Sequence, residues 1–260
     1  MRERVFDDAE GIPPDIDPAI SVGTHDAMLR AAWWQDLGND DPRLPQAFMI
    51  AFSAAAFSSS SFERHGAPLP AALAKAVPKR QAEFVAGRLA ARRAIERLGV
   101  AAAMPGIGPS REPQWQAGVT GSITHAGEIA GAVAVVSSSV TGVGIDIENV
   151  VEADAREAIR ELAITPGEHA LLEARRRHLS AGMIVTIAFS AKESFFKGVF
   201  SSVGRYFGFD AVRISWLDAD AGRLGLTLRK TLCPSLPEGR SFALGFKLLS
   251  ANTVATSFVW

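Results

Sequence analysis

One cysteine, Cys233, is present in 260 residues. That excludes an intramolecular disulfide framework and a cysteine-rich zinc cluster, and it fits a reducing compartment, with the cytoplasm as the expectation. An excess of either charge is also missing: 27 Lys and Arg stand against 28 Asp and Glu, so no general affinity for nucleic acid is expected and any charge preference has to be local. Long apolar runs are absent too. The two longest, 47–52 and 130–136, fall far short of the roughly 20 residues that a spanning helix needs, so no membrane segment is expected. The first of them, extended to Phe57, lies too far along the chain for a signal peptide and reads as a strand. No G-x-S-x-G elbow, Walker loop or H-E-x-x-H pair occurs.

What is present is a globular composition, 48% apolar, enough for one large domain or two small ones. Residues 1–46 stand apart, with ten acids, four arginines and prolines at 13, 14, 18, 42 and 45. They read as an acidic extension, in which Trp33 and Trp34 are expected to dock on the main body as a wrap or an arm. Residues 47–141 form an expected N-terminal subdomain: a strand at 47–57, a short helix at 69–77, a long helix at 79–98 stopped by Gly99, a Pro/Gly-rich loop at 101–118, and strands at 119–124 and 129–136. Residues 142–260 form a second, with a strand at 143–148, helices at 154–163, 167–179 and 183–200, and strands near 209–216, 223–229, 242–249 and 253–259.

Three constellations carry chemistry. In the strand Val143–Glu148, side chains alternate between faces, so Val143, Ile145 and Ile147 are expected in the core while Gly144, Asp146 and Glu148 share the other face. The two carboxylates then lie about 7 Å apart at Cα, close enough to converge on a hard divalent ion, with Gly144 keeping the approach open. The plainer alternative is an edge strand with a solvated polar face. In FSAKESFFK, 189–197, Glu193 and Lys197 share a helix face beside Lys192, and the phenylalanines around them imply a partly buried cleft. There Glu193 suits a general base or a further metal ligand, and a lysine suits a phosphate. In GSITH, 121–125, His125 follows small hydroxyl residues and can meet a phosphate oxygen. Between Lys75 and Arg97, seven bases face two acids, and Arg80, Arg88 and Arg92 form a basic edge that suits an anion. The residues alone stop at a metal-assisted reaction on a phosphorylated or pyrophosphate substrate.

In their order, KRQAEFVAGRLAARRAI, REPQW, GSITHAGEIAGAVAV, VGIDIE, ITPGEHALL, FSAKESFFK and RYFGFDAVRISW resemble the 4'-phosphopantetheinyl transferases of the surfactin type, in the enterobactin synthetase component D-like branch. The resemblance covers roughly residues 69–216. It implies an α+β fold, a pseudo-twofold pair of similar subdomains with a coenzyme A cleft between them. The activity it implies is magnesium-dependent transfer of the 4'-phosphopantetheine arm of coenzyme A to a serine of an apo acyl or peptidyl carrier protein, releasing adenosine 3',5'-bisphosphate. By the same resemblance Asp146 and Glu148 bind magnesium with the pyrophosphate, Glu193 is a third ligand or the base, and Lys197 neutralises the pyrophosphate. Thr124, His125, Arg80 and Arg88 contact the coenzyme, with Lys192 a further candidate. Gln116 departs from the pattern, standing where the branch often has proline. A single chain suffices, so a monomer is expected. The competing readings are a coenzyme A binder without turnover and a metal-dependent phosphohydrolase.

Overall fold

The computed structural model describes residues 26–260; most of the expected acidic extension, His25 included, lies outside the described residues. The chain divides into two compact units, one comprising the chain up to Asp36 and Pro45–Ser138, the other Leu37–Leu44 and Ser139–Trp260. Both combine helices with antiparallel sheets, which is the α+β class.

The first unit is a four-stranded sheet ordered β1-β2-β6-β5, formed by β1 (Leu29–Gln35), β2 (Ala47–Phe52), β5 (Val119–Ala126) and β6 (Ile129–Val136). The short helix α1 (Ser60–Arg64) and the long helix α2 (Pro78–Glu96) stand between β2 and β5. β2 is buried along its whole length, as its unbroken apolar run requires. Proline at the first position of α2 supplies a fixed φ where no N–H bond is lost, and Gly99 takes a left-handed conformation, φ +73°, just past its end. Small residues line the face that packs on the sheet; Ala82, Ala86 and Ala90 are fully buried.

Several expectations shift here. The tail of the acidic extension is not an arm but the edge strand β1, because Trp34 packs edge-on against Phe48 at 4.8 Å and the Arg97 guanidinium lies 4.2 Å from its ring centroid. The helix expected at 69–77 shrinks to a single 3-10 turn, Ala71–Leu73, with no buried residue. Bracketed by prolines and without an apolar face to bury, seven residues cannot nucleate a helix. The loop at 101–118 contains a two-residue ladder, β3 (Gly106–Ile107) with β4 (Pro113–Gln114).

The second unit is a five-stranded sheet ordered β7-β11-β10-β9-β8, from β7 (Val143–Asn149), β8 (Val212–Asp218), β9 (Arg223–Leu228), β10 (Ser241–Ser250) and β11 (Thr253–Val259). Helices α3 (Ala153–Ala163), α4 (Pro166–Arg175) and α5 (Ala181–Val203) lie between β7 and β8. α4 starts in a full capping box between Thr165 and Glu168 and ends before Arg177, φ +50°, four residues short of the expected end. α5 is capped by Ser180, whose hydroxyl accepts from the Met183 N–H, and stopped by left-handed Gly204. The connection Leu37–Leu44 also belongs to this unit: Asn39 donates to the Ser257 carbonyl at 3.3 Å, and Arg223 pairs with Asp40 at 3.2 Å.

The two sheets repeat a pairing rule. In each, the strand before the long helix (β2 or β7) pairs with the last strand (β6 or β11), which pairs with the strand before it (β5 or β10).

Glycine decides how closely α5 approaches β7. A Cβ on Gly144 would collide with the Ser194 carbonyl oxygen and lie 2.7 Å from the Gly198 nitrogen, and a Cβ on Gly198 would lie 2.5 Å from the Phe258 ring. Gly144 therefore does not hold a path open for an ion, as its place beside Asp146 suggests; it admits the helix backbone. Gly144→Ala is expected to destabilise the protein by about 1–3 kcal/mol or more through overpacking against backbone that cannot yield, read as a lowered midpoint in chemical denaturation.

Candidate active site

Once α5 lies on β7, side chains from the two elements meet. Asp146 is buried, and its Oδ1 accepts a 2.6 Å hydrogen bond from Lys197 Nζ, which also donates to the Ile145 carbonyl at 3.3 Å. Glu148, two residues along the same strand face, is half-buried near the strand end. Glu193 lies one helical turn before Lys197, and the charges of Asp146 and Lys197 both act on it. Three carboxylates thus share the field of one ammonium.

Their protonation reflects that imbalance. Burial raises the Glu148 carboxyl from an ordinary 4.5 to about 7, the negative charge of Asp146 adds to the rise, and Lys197 opposes it. Glu193 is also raised, first by burial, with Lys197 opposing and Asp146 reinforcing. The arrangement is short of positive charge. Its donors are hard carboxylate oxygens, the set that magnesium takes, and the ion commonly uses one or two carboxylates together with substrate phosphates and water. Among the described residues no three or more acidic, His or Cys side chains form a ready-made metal cluster. The residues therefore fit a site completed by a phosphate-bearing substrate, not an all-protein cage.

Beside Glu193 the same unit has a pocket walled by Phe196, Tyr206, Phe207, Phe209 and Val212, with Lys192 at its edge. Phe196 packs on Tyr206 and Phe207 with centroids 5.5 and 5.0 Å apart. Lys192 does not join Lys197. Its side chain is 2% exposed and pairs with Glu168 at 2.7 Å, a consequence of the 100° turn between successive helical residues.

In the first unit, the basic helix and GSITH meet as expected, but not all their residues converge. Arg80 donates to His125 Nε2 at 2.7 Å and pairs with Glu83 at 3.1 Å. This cluster is half-exposed. Arg88, two turns further along α2, is buried; it donates to the Gly106 carbonyl at 3.0 Å and lies 4.6 Å from the Phe84 ring centroid. Burial, with Arg80's charge second, lowers its pKa to about 10. Arg92 is not part of an open basic edge, since it donates to the His65 carbonyl at 3.4 Å. Strand alternation puts Thr124, 2% exposed, on the opposite face of β5 from His125.

Two participants were not anticipated. Glu83 tunes the Arg80–His125 pair, and nothing in its sequence context singles it out. Glu168 was within reach, because T-x-x-E at 165–168 is a capping-box pattern ahead of an apolar run.

Comparison with known proteins gives the class. Residues 69–135 match the model of the 4'-phosphopantetheinyl transferase N-terminal domain, and residues 142–246 match that of the 4'-phosphopantetheinyl transferase superfamily. Enterobactin synthase component D of Salmonella typhi is 39% identical over 166 residues, 63% of this chain and 68% of that protein. The protein of the same name in Escherichia coli strain K12 is 41% identical over 150 residues, 57% of this chain and 68% of its own length. A third relative, 4'-phosphopantetheinyl transferase PptT of Mycobacterium tuberculosis, is 34% identical over 162 residues, 62% of this chain and 69% of its own. The chain belongs to the 4'-phosphopantetheinyl transferases, in the branch of enterobactin synthase component D.

A pH test follows from Glu148. Its folded-state pKa is raised, so its contribution to stability is present below about pH 4.5 and is lost as pH rises through about 7. Glu148→Gln is therefore expected to be more stable than wild type at about pH 8, with that advantage gone at about pH 4.5, as measured by thermal unfolding without added metal.

Proposed function

We propose that the protein transfers the 4'-phosphopantetheine arm of coenzyme A to a serine of an apo acyl or peptidyl carrier protein, with magnesium, and releases adenosine 3',5'-bisphosphate. The observation that carries this reading is the meeting of Asp146, Glu148, Glu193 and Lys197 beside an apolar pocket. A pyrophosphate needs cationic neutralisation, and the uncharged pantetheine arm suits aromatic walls.

Each residue has a role in the reading. Asp146 and Glu148 hold magnesium, with Glu193 as a further ligand or as the base. Bound there, the metal supplies positive charge to the pyrophosphate oxygens. Lys197, already on Asp146, can turn to the same oxygens with little movement. The serine Oγ attacks the phosphorus that bears the pantetheine arm, and the bond from that phosphorus to the bridging oxygen breaks. Glu193 accepts the hydroxyl proton, for which a raised pKa is suitable. Adenosine 3',5'-bisphosphate leaves with the bonding electron pair, and cations offset its growing charge.

Arg80 and His125 are assigned to phosphate oxygens of the nucleotide end. For Arg80 this means exchanging Glu83 for a phosphate. Arg88 is assigned beneath the same end, anchored by Gly106 and Phe84. Thr124 lies on the other face of its strand and is assigned to holding β5, not to contact with the coenzyme. The repeated pairing rule of the two sheets supports a duplicated origin and the pseudo-twofold relation implied by the resemblance. One chain supplies every residue named, so the reading needs no second copy, and a cytoplasmic setting supplies coenzyme A. Among the described residues no helix is long and apolar enough to cross a membrane.

The test is intact-protein mass spectrometry of an apo carrier protein incubated with enzyme, coenzyme A and magnesium. A gain of about 340 Da, the mass of the transferred arm, is expected, and it should vanish with a chelator. Asp146→Ala should reduce the rate by at least about a hundredfold while the chain stays folded. Consumption of coenzyme A without carrier would instead favour a phosphohydrolase, and tight binding with no transfer to any carrier would favour a binder.

A further inference from the structure

We infer that Glu168 is a positioning residue for this transfer, acting through Lys192 to fix the pocket wall and the orientation of α5 at Glu193; the inference rests on the coenzyme reading above. The sequence pattern offers Lys192 as a cation for the coenzyme. Its geometry leaves it little to offer. An ammonium has three N–H donors, and those of Lys192 are directed at Glu168 Oε1 at 2.7 Å, the Ala163 carbonyl at 2.7 Å and the Phe209 carbonyl at 3.5 Å.

Glu168 is equally committed. It is 4% exposed, and its carboxylate accepts from the Thr165 N–H and hydroxyl, both at 2.8 Å, and from the Ile214 N–H at 2.7 Å. One buried charge pair therefore joins the end of α3, the start of α4, the start of β8, the pocket residue Phe209, and α5 at the position next to Glu193. A surface pair would be screened and mobile. A buried pair with its remaining hydrogen bonds satisfied contributes little net stability for its desolvation cost, and its best use is to select one geometry among several of similar energy. Here the geometry selected is the spacing between Phe209–Val212 and Phe196 across the pocket. The pair lies away from the nucleotide-binding residues assigned in the first unit, so its loss should affect the pantetheine arm and not the bisphosphate.

The experiment measures equilibrium binding of two ligands to the full chain: coenzyme A, and adenosine 3',5'-bisphosphate, which lacks the arm. Wild type is compared with Glu168→Gln and with the double variant Glu168→Gln/Lys192→Met, in which no charge is left buried and unpaired, so that it folds even if the single variant does not. The expected result is a coenzyme A Kd raised about tenfold or more in both variants, with the bisphosphate Kd changed by less than about twofold, and a KM for coenzyme A that rises by a larger factor than kcat falls. Unchanged coenzyme A affinity in the folded double variant, or an equal loss for both ligands, would overturn the positioning role. Failure of wild type to bind coenzyme A would overturn the transferase reading beneath it, a result distinguishable because it appears before any substitution is made.

Discussion

The approach of α5 to β7 is the constraint on which the site depends. Backbone meets backbone at Gly144 and Gly198, so helix and strand lie closer than any pair of side chains would allow. Buried hydroxyls hold the neighbouring strand in the same register: Ser190 and Ser194 both meet Thr256 Oγ1, at 2.9 and 2.7 Å. With the helix so near, Lys197 reaches Asp146, and Glu193 enters the same field. The chemistry is a by-product of close packing at two positions without side chains.

That closeness has an electrostatic cost. Acidic groups brought under the helix lose water, and Lys197 alone cannot offset them, which is why Glu148 and Glu193 hold their protons to higher pH than free carboxyls do. A site destabilised in this way favours whatever brings positive charge and removes the like-charge repulsion. Stability is given up locally to create affinity for a cation and a phosphate ligand together. The Lys192–Glu168 pair works differently. Its charges are balanced, with the carboxylate of Glu168 held below the ordinary range because Lys192 and backbone donors outweigh its burial, and it serves geometry instead of binding.

The sequence carried much of this, though unevenly. The period-2 pattern of VGIDIE put Asp146 and Glu148 on one face, and the four-residue spacing of Glu193 and Lys197 put them on one side of a helix; both placements are local and survive folding. What alternation could not say is which face would be covered. All residues from Val143 to Ile147 are buried, so the strand has no solvated side, and the role of Gly144 depends on a helix about fifty positions away. Lys192 was misjudged for the same reason: its partner Glu168 is distant in sequence, and only the capping-box pattern hinted that this acid was committed. Thr124 and His125 look like one unit in GSITH, yet adjacent strand residues point apart. Trp33 and Trp34 read as an appendage because prolines and acids surround them, whereas Phe48 and Arg97 draw them into the sheet.

The central claim is that Asp146, Glu148 and Glu193 form one site shared by a divalent cation and the coenzyme. Its most direct test is the linkage between the two ligands, measured by titrating coenzyme A into the protein with and without magnesium, for wild type and for Glu148→Gln. The account requires magnesium to tighten coenzyme A binding in wild type and that tightening to be largely lost in the variant, with the variant still folded. Coenzyme A affinity that is independent of magnesium in wild type, or a coupling of equal size in Glu148→Gln, would contradict it.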